Sequence, residues 1–453
     1  MLRINELLAR EEGKTLEFKR DCSSLEPIVR TVIAFANTAG GCILIGIRDQ
    51  SKELVGVEDP TSDESRLCNA FSDMISPQMI PDINVVSYRG LSLLLISVPH
   101  LSGPYYLRSV GLEQGAYIRL GSSNRAADTD MLEELKRQAE NRSYDETPLL
   151  EMNSEQIRFR AASELFIKQG KSIDMNKLAI MGTLQIIGER FVPSIGGILL
   201  FGLNKESLFP DAKIKCARFK GKMSTEFLDN LETGAGLINA VDIAIAFIRR
   251  HTSQGLKIGS TAHRVIPEYP EIAIREAVIN AIVHTDYAIK GMSIRVGIYD
   301  DRIEITNPGS LPFGISMEHI FSGISKLRNR VIGRVFHELG LIEQWGTGIS
   351  RIRETCHIAN LPEPRFEELG TSFRVTLYTD SAPRVSTRSW ELQLVEYLRI
   401  HQEISSKQAA DLWRISQRGA RTKLRVLIED KIITKIATNP YDPKTVYVLQ
   451  SGI

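Results

Sequence analysis

Apolar residues recur along this chain at two spacings, and the switch between them marks out its elements. Residues 1–20 read as a short helix, a break at Gly13 and a strand opening near Thr15. Between Ile28 and Asn37 the apolar positions follow helical spacing, and Gly40-Gly41 ends the run. The following CILIGI (42–47) is almost continuously apolar, as expected of a strand covered on both faces. INVVSY, LSLLLISV and GAYIRLG supply three further strands, and the polar, aperiodic ENRSYDETP (140–148) reads as a linker.

Beyond that linker the pattern is mixed up to about residue 260. GGILLFGL (196–203) reads as a strand and echoes GGCILIGI, through recurring turn chemistry or an internal duplication. KIKCARFKG is a second strand, and INAVDIAIAFIRRH (238–251) an amphipathic helix. Residues 265–380 then give a helix (EIAIREAVINAIVHTDY), a strand (MSIRVGIYDDRIEITNPG), a helical stretch around 327–341, EQWGTGISRIRETC and the strand SFRVTLY. SAPRVSTRS (381–389) has linker composition, and the last sixty or so residues read as three short helices and a hairpin. That order describes a winged helix-turn-helix. The expected architecture is an α+β or α/β multidomain chain, divided at 1–140, 141–260, 261–380 and 388–453.

Length and composition agree with several domains: 453 residues correspond to about three or four. A hydrophobic fraction of 43% and a charged fraction of 25% are ordinary for a globular protein, which excludes global disorder. The net charge of +1 excludes a uniformly basic nucleic-acid coat protein, though not a local basic patch. Five scattered cysteines without a Cys-x-x-Cys pair argue against a disulfide framework or a structural zinc site and fit a reducing cytoplasm. The chain contains no 18-residue apolar run, so a soluble protein without a membrane partner is expected.

Three groups of residues carry candidate chemistry. In EGKTLEFK, Glu17 and Lys19 alternate onto one strand face with Glu12 upstream, and Asp49 closes the CILIGI strand. Three carboxylates and a lysine brought together would hold a divalent cation, Mg²⁺ or Mn²⁺, against a phosphodiester. The plainer reading is a solvated strand face and a turn residue. ExxxxEFK, FANTAGGCILIGIRD and GAYIRLGSSNRAAD together resemble the Schlafen AlbA-like (AlbA_2) domain over about residues 5–135. In nuclease members of that group two Glu and one Asp cleave RNA with a divalent metal, and Glu12, Glu17 and Asp49 match that pattern. Many prokaryotic relatives are instead regulatory or DNA-binding.

The second group is a stripe. Glu276, Asn280 and His284 lie at i, i+4 and i+8 on an otherwise apolar helix. Buried polar groups need partners, either within the protein or from a ligand bearing phosphates and Mg²⁺. Asn280 would be the metal ligand, Glu276 would orient or deprotonate water, and His284 would face phosphate. REAVINAIVH, the turn Asn307-Pro308-Gly309 and EQWGTGISRI resemble the N box and two Gly boxes of a divergent GHKL-type ATPase domain, an α/β sandwich. The resemblance implies ATP binding at Glu276, Asn280, Asn307, Gly309 and Gly346-Thr347-Gly348, with slow or conditional hydrolysis and nucleotide-dependent homodimers or larger oligomers. Asn307 stands where that family reads adenine with Asp. KLRNRVIGRVF (326–336) reads as a phosphate-covering lid or as a solvated basic helix.

The third group is C-terminal. Residues 414–435 hold seven basic side chains against two acidic ones. Gln417, Arg418, Arg421, Lys423 and Arg425 lie on the expected recognition helix, where contacts with DNA or RNA would be made. The combined expectation is an ATP-binding nucleic-acid protein, a nucleotide-regulated Schlafen-like nuclease of defence or stress. The alternative is a non-catalytic transcriptional regulator with an ATP-sensing domain.

Overall fold

The computed structural model describes residues 4–449 except 50, 235, 253, 259–262, 343–345, 380–389, 391–392, 395–396, 399–400, 414, 430–431 and 437–444. The 381–389 linker, Arg414, Lys431 and the first three residues of EQWGTG lie outside the described residues. The chain is a mixed α+β protein of two compact units, one made of residues 1–139 with 385–453 and the other of residues 140–384.

In the first unit a four-stranded sheet runs in the order Leu16–Lys19, Gly41–Ile45, Leu91–Val98, Asp82–Tyr88. Its first pair is parallel and the others antiparallel. A parallel pair requires a crossover, which the Leu25–Thr38 helix supplies. The CILIGI strand is covered on both faces, as expected. Ile43 and Ile45 pack under that helix with Phe71 and Leu94, whereas Leu44 joins Leu7, Leu8, Leu16, Phe18 and Leu93 opposite. Ile436 and Val448 belong to this second core, so the C-terminal strands complete the N-terminal sheet's packing. Thr434 Oγ1 donates to the Ala9 carbonyl at 3.1 Å across the same contact.

The C-terminal part of this unit carries helices Ser406–Trp413 and Gln417–Glu429. Beside them is an antiparallel sheet ordered Ile404–Ser405, Val446–Leu449, Ile433–Ile436.

The second unit is built on a six-stranded sheet ordered Phe227–Glu232, Ile214–Phe219, Ile294–Ile298, Arg302–Pro308, Ser372–Tyr378, Arg365–Leu369. Residues on either side of position 260 share this sheet and one hydrophobic core, which runs from Ile157 to Leu377. The stretch read as one strand over 292–309 is a hairpin, closed where Tyr299 N donates to the Arg302 carbonyl at 2.9 Å.

GGILLFGL forms not a strand but the buried helix Ile195–Phe201. Ser194 Oγ caps it by accepting from Gly197 N at 3.0 Å. A Cβ on Gly197 would stand 2.0 Å from the Thr183 carbonyl oxygen, so the helix needs glycine there to approach its neighbour. The two Gly-Gly phrases therefore share no structure.

The 140–148 segment is anchored rather than free. Asp145 is fully buried, accepting from Ser143 Oγ at 2.6 Å and from Ile332 N at 2.9 Å. It thereby satisfies an N–H in the first turn of the Arg330–Glu338 helix. That helix buries Val331, Ile332, Val335 and Phe336 completely, so it is a core element and not a solvated basic helix. Among the described residues no helix is long and apolar enough to cross a membrane.

Candidate functional site

The helix Glu271–His284 is apolar on nearly every side, with Ala273, Ala277, Val278, Ile279, Ala281 and Ile282 buried. Its polar stripe faces a cavity of ≈ 140 Å³. Glu276, Asn280, His284, Asn307, Gly309, Gly346, Thr347 and Gly348 all line that cavity. They come from the stripe helix, the end of the Arg302–Pro308 strand and the start of the Gly348–Ile358 helix. An apolar wall of Ile305, Leu311, Ile320, Phe366, Phe373 and Val375 completes it.

Two glycines shape the opening. Gly348 lies so close to the stripe that an added Cβ would stand 3.1 Å from both Asn280 Nδ2 and Glu276 Oε2. Gly346 has φ +66°, in the left-handed region, and packs against the Gly323 carbonyl. Glu276 Oε1 accepts from Arg351 Nη1 at 2.8 Å. Asn280 makes no side-chain hydrogen bond among the described residues. Burial, and after it the Arg328 guanidinium, push His284 down to about 4, so its ring is neutral at pH 7.

Asn307 is buried, and its Nδ2 donates to the Pro308 carbonyl at 3.0 Å. Gly309, with φ +96°, has no room for a Cβ because Asp286 lies 2.9 Å away. Arg328 straps this turn, donating to Asp286 Oδ2 at 3.0 Å and to the Ser310 carbonyl at 2.7 Å. Ser325, Lys326 and Leu327, just before it, line the cavity. The expected lid segment thus divides into a cavity-lining turn and a core helix.

The acidic residues of the first unit behave differently. Glu12 Oε1 accepts from Phe18 N at 2.6 Å. Burial raises the Glu12 carboxyl above its ordinary range, and the charges of Glu17 and Asp49 push the same way. The three carboxylates are therefore electrostatic neighbours. Glu17, however, is buried, with one oxygen on Lys19 Nζ and the other on Arg119 Nη2. Arg119 is 1% exposed and also donates from Nε to the Gly13 carbonyl at 2.9 Å and from Nη1 to Asn124 Oδ1 at 2.9 Å. Asp49 is exposed. Among the described residues no group of three or more His, Cys, Asp or Glu is arranged to hold a metal ion.

Part of the adjoining motif is scaffolding. Asn37 clamps two loops, donating to the Tyr105 and Tyr117 carbonyls at 2.8 and 2.9 Å and accepting from Tyr105 N at 2.8 Å. A Cβ on Gly41 would stand 2.7 Å from the Thr15 carbonyl oxygen.

On the Gln417–Glu429 helix, Gln417, Arg418, Arg421 and Arg425 are exposed, while Leu424 and Leu427 are buried. Lys423 is set apart from them. Its ammonium lies 4.7 Å from the Trp390 ring centroid and 5.3 Å from that of Trp413.

Sequence reasoning passed over Arg119 and Arg351. The first was visible only as a lone charge in an apolar strand, the second only as the residue three places after Gly348, on the same helix face.

Comparison with known proteins gives two family matches. The family described as Schlafen, AlbA_2 matches residues 12–128. The family described as putative ATP-dependent DNA helicase recG C-terminal, HATPase_c_4, matches residues 291–377, which include Asn307, Gly309 and Gly346–Gly348 but not the stripe helix. Among solved structures the chain is similar to the DIP2311 protein from Corynebacterium diphtheriae, at 21% identity over 96% of this chain and 92% of that one, with a TM-score of 0.45. It is also similar to the N-terminal domain of a putative ATP-dependent DNA helicase RecG-related protein from Nitrosomonas europaea. There the identity is 29% over 28% of this chain and 94% of that one, with a TM-score of 0.23. No curated protein matches the chain.

Proposed function

From a chain that carries a Schlafen AlbA_2 domain and a HATPase_c_4 ATPase-like domain, we propose an ATP-binding protein that acts on nucleic acid. The observation that carries this reading is the cavity, where residues from three separate segments, 276–284, 307–309 and 346–348, come together. The residues suit a nucleotide: Asn280 has an amide without a partner among the described residues, and Gly348 leaves a cradle that a Cβ would fill. Asn280 would hold Mg²⁺ with the phosphates, the cation neutralising phosphate charge, while Glu276 would orient or deprotonate water. Backbone N–H groups at the start of the Gly348–Ile358 helix would receive the anion.

The C-terminal helices and sheet suit a winged helix whose exposed Arg418, Arg421 and Arg425 meet phosphates. Nucleotide-dependent self-association belongs to the same reading. In the first unit, the ion pairs of Glu17 favour a binding role over catalysis. A second reading, metal-dependent cleavage, is favoured by the mutual influence of Glu12, Glu17 and Asp49.

One experiment separates these readings: incubation of the full chain with labelled RNA or single-stranded DNA, Mg²⁺ and ATP across a salt series. Binding should weaken with salt, and replacing all three arginines by Ala should lower the log–log slope by about 3. An unchanged slope would remove that helix from the interface. Intact nucleic acid supports binding alone, whereas cleavage that disappears in Asp49→Ala, an exposed position, supports the nuclease.

A further inference from the structure

If the cavity takes a polyphosphate, it must do so beside a carboxylate. Glu276 lines the same space as Thr347 and Gly348, so its charge opposes the ligand's unless something cancels it. Among the described lining residues the cationic side chains are Lys326 and Arg351. Lys326 Nζ is turned to the Phe313 carbonyl at 2.9 Å, and His284 is neutral. Arg351 Nη1 is the group that reaches Glu276 Oε1, at 2.8 Å.

The arrangement follows from helix geometry. Gly348 and Arg351 are one turn apart, so the helix start that abuts Glu276 and Asn280 also presents the guanidinium to the same carboxylate. Arg351 N donates to the Thr347 carbonyl at 2.8 Å, which fixes that turn. The partner side chains are partly shielded, at 32% and 17% exposure, so the attraction is less screened than at an open surface.

We propose that Arg351 is a positioning residue for nucleotide binding, acting through Glu276. It cancels the carboxylate's charge and fixes its orientation, which lets an anionic phosphate approach Gly346–Gly348. This deepens the nucleotide reading and rests on it.

The test is calorimetric titration of Mg²⁺-ATP into the full chain, as wild type, Arg351→Ala, Arg351→Lys, Glu276→Gln and the Arg351→Ala/Glu276→Gln pair. Arg351→Ala should weaken binding about tenfold or more, and Arg351→Lys should recover part of the loss. In the Glu276→Gln background, removing Arg351 should cost little, because no carboxylate charge remains to be cancelled. Thermal unfolding of each variant checks the fold, with Arg351→Gln replacing Arg351→Ala should the latter fail to fold. Unchanged affinity in Arg351→Ala, or an equal loss with and without the Glu276 carboxylate, overturns the inference and leaves the nucleotide reading standing. Absence of binding by the wild type overturns both.

Discussion

Glu17 and Glu276 each give a carboxylate oxygen to an arginine, Arg119 and Arg351 respectively, and the two pairs differ in burial and consequence. Arg119 is 1% exposed, so losing Glu17 would strand a buried cation, at a cost of about 3–5 kcal/mol. A Glu17 variant would therefore test folding as much as chemistry. His284 is a third constrained group. Its folded-state value of about 4 lies below the ordinary 6.5, so the unfolded chain binds the proton more tightly. His284's contribution is then full above pH 6.5 and is lost as the pH falls toward 4; the gap is worth on the order of 3 kcal/mol. Asp145, raised to about 6 chiefly by burial, has the opposite sign, and its contribution fades as the pH rises through 6. Urea midpoints measured from pH 7.5 to 4.5 should show a smaller acid loss in His284→Asn than in wild type. Parallel curves would mean that the ring is not held neutral.

Among the elements, the two Gly-Gly phrases are the clearest lesson. GGCILIGI is a central strand and GGILLFGL a buried helix, although both are short apolar runs after paired glycines. Such a run cannot distinguish the two by periodicity, and here Ser194 capping and the approach to Thr183 decide. Gly197→Ala should therefore destabilise the second unit by about 1–3 kcal/mol, seen as a lower thermal midpoint. Gly13→Ala, whose Cβ would lie 4.0 Å from the Glu11 carbonyl oxygen, is the control. Equal midpoints would mean that Thr183 yields at no cost. The Glu276–Asn280–His284 stripe was legible because three polar residues at helical spacing interrupt an apolar helix. Glu17's partner was not, because Arg119 lies 102 positions away and only the fold brings it near. The hairpin over 292–309, by contrast, is local: Asp300-Asp301 marks its turn in the sequence, and the reading as one strand runs through that break.

For the whole molecule, the order along the chain differs from the order in space. Residues 385–453 pack with 1–139, and Ile436 and Val448 share a core with Leu7 and Leu8. Residues 140–384 are thus inserted between two parts of one unit and joined to it by two chain crossings. The AlbA_2-like and ATPase-like motifs were readable in the sequence, but this pairing of the ends was not, since nothing in local periodicity links position 8 to position 448. The central claim concerns the inserted unit: its cavity holds a nucleotide through the Asn280 stripe. The most direct measurement is the melting temperature of the full chain with and without Mg²⁺-ATP, in wild type and Asn280→Ala. At a hundredfold excess over Kd, binding would add about 2.7 kcal/mol and raise the wild-type midpoint by several degrees. The account predicts that rise in the wild type and its loss in Asn280→Ala; a wild-type midpoint indifferent to nucleotide would contradict it.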